Sequence, residues 1–164
     1  MIKEPTPNTV NNNIIDLDLS ITQKKKFRFG KDDNRIVEIN TSDMNLMQRV
    51  NEAYPKLNDL QNRAAKLTEG LDLEESAGIE DLGTMAERLS VVDTEMRELI
   101  DYMFDAPVSA AAAPDGSMYD PFNGSFRYEH IIAAIMKQYE DNLQSEFKKM
   151  ERQLKKHTDK YTRR

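Results

Sequence analysis

The chain has 164 residues, and its 23 Lys and Arg residues against 29 Asp and Glu residues give it a net charge of −6. This acidic balance argues against a dedicated nucleic-acid binder. The absence of Cys and Trp, with only 2 His residues, excludes disulfides, zinc ribbons and Cys nucleophiles and fits a reducing cytosol.

The N-terminal third is predicted to hold a leader and a small β unit. Residues 1–13 contain two Pro and four Asn residues without periodicity, which is typical of a flexible leader. Apolar residues then alternate with polar ones, a pattern of half-buried strands, around a Gly30–Asn34 turn. We expect an antiparallel β unit within residues 14–40, with these apolar positions facing one side: Leu17, Leu19, Ile21, Phe27, Phe29, Val37 and Ile39.

Two heptad patterns follow and predict a pair of packed helices. The first has spacing 4,3,4,3,4,3 and consists of Leu46, Val50, Ala53, Leu57, Leu60, Ala64 and Leu67. The second has spacing 4,3,4,3,4 and consists of Met85, Leu89, Val92, Met96, Leu99 and Met103. Because the connection, Gly70–Gly83, is short, we expect an αα-hairpin completing a unit at 14–104. Pro55 predicts a kink or a helix in two pieces.

The remaining residues are predicted to form a linker and a long helix. Residues 105–125 contain three Pro, two Gly and a run of small residues, which indicates a linker. Residues 126–164 show a helical apolar period that ends in a basic tail. The expected fold class is therefore α+β, mainly α, with a small N-terminal antiparallel β unit, an αα-hairpin and a long C-terminal amphipathic helix.

Charge is distributed unevenly along the chain. Residues 148–164 hold eight basic and two acidic residues, a net charge of +6, so the preceding residues carry −12. This asymmetry can steer association with a partner or between copies of the chain. We therefore keep two interpretations of the basic tail open, one in which it contacts an acidic protein surface and one in which it contacts nucleic acid.

Sequence motifs for catalysis or cofactor binding are absent. His130 and His157 are too far apart to share a helix turn, and no HExxH, P-loop, dinucleotide-binding, EF-hand or nucleophile-elbow pattern occurs. We expect a non-enzymatic protein without a cofactor or a metal. No stretch is long and apolar enough for a signal peptide or a membrane span, so we also expect a soluble, cytoplasmic protein that does not bind membranes.

Residues 16–104 hold a characteristic order of features: Leu17-x-Leu19-x-Ile21, Phe27-Arg28-Phe29-Gly30, a strand ending Val37-Glu38-Ile39-Asn40, the cap Thr41-Ser42-Asp43, and a helix through Arg49 and Tyr54-Pro55-Lys56-Leu57. This order resembles the tail assembly chaperones of long-tailed phages that infect Gram-positive bacteria. It implies a non-enzymatic protein of the host cytoplasm that self-associates. It also implies that the protein covers the apolar helical tape measure protein and helps to recruit the tail tube protein.

A protein that covers a long apolar helix needs amphipathic surfaces. The candidates are the apolar stripes, or seams, formed by the two heptad patterns and by the C-terminal helix. For partner binding the sequence predicts Leu46, Val50, Leu57, Leu60, Met85, Leu89, Val92, Met96, Ile132, Ile135 and Tyr139. For charged contacts it predicts Lys148, Lys149, Arg152, Lys155 and Lys156. The alternative function is a nucleic-acid-associated regulator or phage-encoded inhibitor that acts through the basic C-terminal helix. Helical seams of this length are usually core, so the sequence leaves open whether they bind a partner.

Overall fold

The structure, a computed structural model, describes residues 24–71 and 78–162. It is mainly helical with small antiparallel sheets, so the predicted α+β, mainly α fold class is confirmed. The leader and the predicted strand through Leu17, Leu19 and Ile21 lie outside the described residues. The elements are β1 (Lys24–Arg28), β2 (Ile36–Asn40), α1 (Asn45–Leu67), α2 (Ile79–Phe104), α3 (Val108–Ala112), β3 (Pro121–Phe122), β4 (Ser125–Phe126) and α4 (Arg127–Thr162).

The predicted hairpin at Gly30–Asn34 forms as expected. β1 pairs antiparallel with β2, and Phe27 lies opposite Val37. The turn contains Gly30 at φ +62° and Lys31 at φ +58°, a left-handed conformation that glycine adopts without strain. Val37 and Ile39 are buried, whereas Glu38 between them is exposed. The alternation in the sequence therefore marks the face of the hairpin that packs on the helices.

α1 and α2 form the predicted αα-hairpin. Their facing seams are buried, and Arg63 on α1 makes a two-pronged ion pair with Glu95 on α2 at 2.7 and 2.8 Å. α1 is one continuous helix through Pro55, so of the two predicted alternatives, a kink or a helix in two pieces, the second does not occur. The proline removes one hydrogen bond to the carbonyl of Asn51. Because Asn51 and Pro55 both lie on the exposed face of α1, water can hydrogen-bond to the Asn51 carbonyl instead.

Residues 105–125 are packed, in contrast to the loose linker that their Pro, Gly and small residues suggested. This segment contains α3 and the β3–β4 hairpin, and its side chains reach the core at Val108, Ala112, Ala113, Met118 and Tyr119. Small residues permit the close approach of α3 to its neighbours. Arg35 of the first hairpin donates to the carbonyl oxygens of Ala111, at 2.8 Å, and Ala112, which ties the segment to the body.

The first half of α4 packs on this body and the second half leaves it. Tyr128, Ile131, Ile135 and Tyr139 are buried on α4. Asn142 adds a hydrogen bond to the body, because its side-chain Nδ2 donates to the carbonyl oxygen of Thr41 at 3.1 Å. From Lys148 to Lys156 every side chain is exposed. α4 therefore has a docked part and a projecting part within one continuous helix.

Tyr139 provides a test of how α4 is docked. Its ring is buried, and its hydroxyl donates to the carbonyl oxygen of Asp43 at 2.8 Å. Tyr139→Phe keeps the ring and removes the donor, so we expect a loss of about 1 kcal/mol in the free energy of unfolding. Tyr54→Phe is the control, because Tyr54 is exposed, and it should change stability little. Urea denaturation followed by circular dichroism measures both, and equal stabilities would contradict the docking contact.

Candidate protein-binding surface

The structure places the predicted partner-binding residues mostly inside the protein. Seven of them are buried, namely Leu46, Leu60, Leu89, Val92, Met96, Ile135 and Tyr139. Val50, Leu57, Met85 and Ile132 are partly buried and pack against the same core. The two seams cover each other, and Met118 and Tyr119 belong to the same core cluster as α2. The open groove expected along these seams is therefore closed by intramolecular packing.

The predicted charged-contact residues are brought together on the projecting part of α4. Lys148, Lys149, Arg152, Lys155 and Lys156 are all exposed. Two of them make ion pairs within the helix, Lys149 with Glu146 at 2.7 Å and Lys155 with Glu151 at 3.0 Å. Such exposed pairs contribute little to stability. This end of the helix thus presents a basic surface to solvent.

An apolar stripe runs along the same projecting helix. It consists of Leu143, Phe147, Met150 and Leu154, and we call it the α4 stripe. Phe147, Met150 and Leu154 are 51%, 56% and 65% exposed, and Leu143 is partly buried. Their spacing of 4,3,4 places all four side chains on one face of the helix. An apolar face does not stabilise a helix that is surrounded by water. The α4 stripe is therefore the best candidate for a contact with another helix.

The α4 stripe continues into a groove where α4 meets α1. The groove has a volume of about 560 Å³. Met47, which is 39% exposed, contributes from α1, and the other lining residues belong to α4: Ala133, Met136, Lys137, Tyr139, Glu140, Leu143, Gln144 and Phe147. Flexible methionines on its walls can adapt to different apolar side chains. The groove and the α4 stripe together form one elongated apolar surface.

A second cleft lies between α1 and α2 but has a different character. It also has a volume of about 560 Å³, and its apolar floor of Leu60 and Leu99 is edged by charged residues, among them Asp59, Glu95 and Glu98. Several of its polar groups already have partners. The Tyr102 hydroxyl, for example, donates to Glu52, and this bond lowers the pKa of the Glu52 carboxyl. The cleft therefore offers fewer free apolar contacts than the groove beside α4.

Tyr119 is the most perturbed titratable group in the described part of the chain. Its side chain is buried, and its hydroxyl has no hydrogen-bond partner among the described residues. Burial raises the pKa of this phenol well above its usual range, and the neighbouring Tyr128 and Asp93 raise it further. The ring packs edge-on against Phe126 and Tyr128, with centroid distances of 5.4 and 5.3 Å. Tyr119 acts as a neutral member of an aromatic cluster.

The described residues show neither a metal-ligand cluster nor a helix suited to crossing a bilayer. Among residues 24–71 and 78–162, no group of three or more His, Asp or Glu side chains is arranged to hold a metal ion. None of the helices in these ranges combines the length and the apolar character that crossing a bilayer requires.

Comparisons with known proteins place no constraint on the function. No protein-family model, no curated protein and no solved structure matches the chain.

The sequence contained a signal for the surface that the candidate list missed. Phe147, Met150 and Leu154 continue the helical period of α4. Most of the predicted partner-binding residues lie instead in the denser heptad patterns of α1 and α2, and such dense seams are usually core. Met47 was missed for another reason. It lies one position from the buried Leu46 and therefore off the α1 seam, so only the docking of α4 beside it reveals its role.

Proposed function

We propose that this protein is a non-enzymatic tail assembly chaperone that binds the apolar helical tape measure protein. The observation that supports the proposal is the elongated apolar surface formed by the groove and the α4 stripe. An amphipathic helix that lays its apolar face into a groove is a common mode of peptide recognition. The proposal moves the binding site from the predicted seams of α1 and α2 to α4, and it retains the function implied by the resemblance.

The surface matches such a client in shape and chemistry. From Ala133 to Leu154 the surface extends over about 32 Å of helix, at 1.5 Å per residue. It therefore contacts several turns of a client helix at once. Charges at its edges, such as the partly exposed Glu146 and the exposed Lys149, keep the surface soluble before the client binds. Many copies of the chaperone, each with a moderate contact, would cover a long tape measure, and tail tube protein would then be recruited to the covered assembly.

Co-expression with the tape measure protein of the same genome tests this proposal. The variant is Phe147→Asp with Met150→Asp, which introduces two carboxylates into the α4 stripe without touching the core. We expect the wild-type chain to keep the tape measure protein in the soluble fraction and to co-purify with it. The double variant should lose most of this effect, because each carboxylate would have to be desolvated against the client.

The matched control is Ile79→Asp with Val91→Asp. Both residues are exposed on α2, at 92% and 62%, so the control adds the same charge on a different face. It should solubilise the tape measure protein as the wild type does. Equal activity of the wild type and the α4 variant, at equal helicity by circular dichroism, would contradict the proposed site. Failure of the wild type itself would contradict the proposed function.

The basic end of α4 supports a second candidate function, a nucleic-acid-associated regulator. The specific observation is that five basic side chains lie exposed within Lys148–Lys156. Phosphate contacts would give duplex binding that weakens steeply as salt rises. Electrophoretic mobility shift with a labelled duplex, for the full chain and for Lys148→Gln with Arg152→Gln, separates the two functions. We expect no salt-sensitive binding by either protein if the chain is a chaperone.

A further inference from the structure

We infer that the α4 stripe pairs with the α4 stripe of a second copy of this chain, and that the two helices run antiparallel. This inference rests on the proposed function for its meaning, since it says what covers the apolar surface before a client arrives. It does not depend on that function for its evidence. The evidence is the spacing, exposure and charge pattern of α4.

The spacing of the stripe is that of a coiled-coil seam. Leu143, Phe147, Met150 and Leu154 occupy alternating d and a positions of a heptad. An antiparallel pair stacks d positions of one helix on a positions of the other. Leu143 then lies opposite Leu154 of the second copy, and Phe147 lies opposite Met150 of the second copy. Every side chain of the stripe has an apolar partner in this register, and none is left over.

The charge pattern of α4 selects the antiparallel direction. Residues 140–147 hold three carboxylates and no basic residue, whereas residues 148–156 hold five basic residues and one carboxylate. In the register above, the basic segment of each helix lies beside the acidic segment of the other. A parallel pair would instead place the two basic segments side by side. Because opposite charges attract and like charges repel, this distribution of charge favours the antiparallel arrangement.

The residues at the e and g positions, which flank the seam, also favour the antiparallel direction. In a parallel pair, the g position Glu146 faces the e position Glu151 of the second copy, which places two carboxylates together. In the antiparallel pair, Glu146 faces Gln153 and Glu151 faces Gln144. A glutamine amide can donate a hydrogen bond to a carboxylate, so these flanking contacts become favourable. Both Glu residues are also paired within their own helix, to Lys149 and Lys155.

The groove beside α1 accommodates the end of the second helix. In an antiparallel pair, the helix of the second copy continues past Leu143 toward Met136 and Ala133, which line the groove together with Met47. The groove therefore extends the coiled-coil contact onto the body of the first copy.

Cysteine cross-linking tests both the pairing and its direction, because the chain contains no Cys. Leu143→Cys and Leu154→Cys are made separately and mixed. In the antiparallel pair the two positions are adjacent, so the mixture should form a covalent dimer under mild oxidation. Identical positions lie 11 residues apart along the axis, about 16 Å, which is too far for a disulfide. Either variant alone should therefore cross-link several-fold less than the mixture.

Arg152→Cys is the control for random collision, because position 152 lies on the helix face opposite the stripe and should cross-link poorly in every combination. Strong cross-linking of each single variant with itself would show a parallel pair and overturn the inferred direction. A monomer by sedimentation equilibrium over a wide concentration range, with no cross-linking of the mixture, would overturn the pairing itself.

The outcomes for pairing and for function can be told apart. A monomeric chain that still solubilises the tape measure protein would overturn the inference and leave the proposed function standing. An antiparallel dimer that fails to solubilise it would overturn the function and leave the inference standing. The variant Phe147→Asp with Met150→Asp provides a further check, since it should abolish the dimer at unchanged helicity, whereas Ile79→Asp with Val91→Asp should preserve it.

Discussion

Val92→Asp is expected to unfold the protein, whereas Val91→Asp, one position away, is expected to be nearly neutral. Val92 is fully buried in the seam between α1 and α2, and Val91 is 62% exposed. An aspartate at position 92 would stand in the apolar core cluster that also contains Leu89 and Met96. The carboxylate must then either lose its hydration or take up a proton, and both cost free energy.

The expected size of this effect follows from the marginal stability of domains. Placing an unpaired charge in a core costs more than about 4 kcal/mol, which is a large part of the 5–15 kcal/mol that a domain of ordinary stability has. Urea denaturation monitored by circular dichroism should show a much reduced midpoint or no folded baseline. Lowering the pH should restore part of the loss, since a carboxyl whose pKa burial raises destabilises the fold most when it is ionised. Equal midpoints for both variants would show that the seam is open to water.

This pair of variants also separates the two interpretations of the seams that the sequence allowed. A heptad pattern reports that one face of a helix is apolar, and it does not report what covers that face. For α1 and α2 the cover is internal, because each helix meets the other. For the second half of α4 the same period continues, but every side chain from Phe147 to Lys156 is exposed. The difference between core and surface is thus set by where neighbouring elements stop, which no local pattern encodes.

The segment 105–125 shows a second limit of sequence reasoning. The Pro, Gly and small residues of this segment are typical of a linker. In the structure, however, Ala112 and Ala113 are buried. One signal was available. Asn123-Gly124 is a preferred two-residue hairpin turn, and in the structure both residues have positive φ, 44° and 82°, between β3 and β4. The buried position of Met118 and Tyr119 could not be predicted, because their contacts come from other elements. The Met118 amide donates to Asp93 of α2, and the Tyr119 ring packs on Phe126 of β4 and Tyr128 of α4.

The main elements were predictable because their patterns are long or chemically specific. The β1–β2 hairpin follows from alternation around Gly30, and the two seams repeat often enough to predict two helices. The sequence left two alternatives open at Pro55, a kink or a helix in two pieces, and α1 is continuous there. Packing of the buried Ala53 and Leu60 on either side holds the helix together across the missing hydrogen bond. Tertiary contacts outweigh a local preference of this size.

Arg97→Met is expected to destabilise the protein by about 3 kcal/mol, because it removes the group that holds the 105–125 segment on α2. The Arg97 guanidinium donates to Asp93 on its own helix at 2.8 Å. It also donates to three carbonyl oxygens of the segment, those of Ser109, Ala113 and Gly116. Methionine retains the apolar stem but leaves these acceptors unpaired, and unpaired acceptors that are partly shielded from water are costly.

Asp93 couples the same segment from the other side, so a double-mutant cycle gives the sharper test. Its second carboxylate oxygen accepts from the Ser117 hydroxyl at 2.9 Å and from the Met118 amide at 2.7 Å. Because Arg97 and Asp93 act as one unit, Asp93→Asn with Arg97→Met should cost clearly less than the sum of the single variants. Hydrogen exchange should show loss of protection at the Met118 amide. Arg88→Met is the matched control, since exposed Arg88 makes one bond, to the Leu67 carbonyl at 3.1 Å. Additive effects, or a loss no larger than that of Arg88→Met, would mean that the apolar contacts of Met118 and Tyr119 hold the segment without the ion pair.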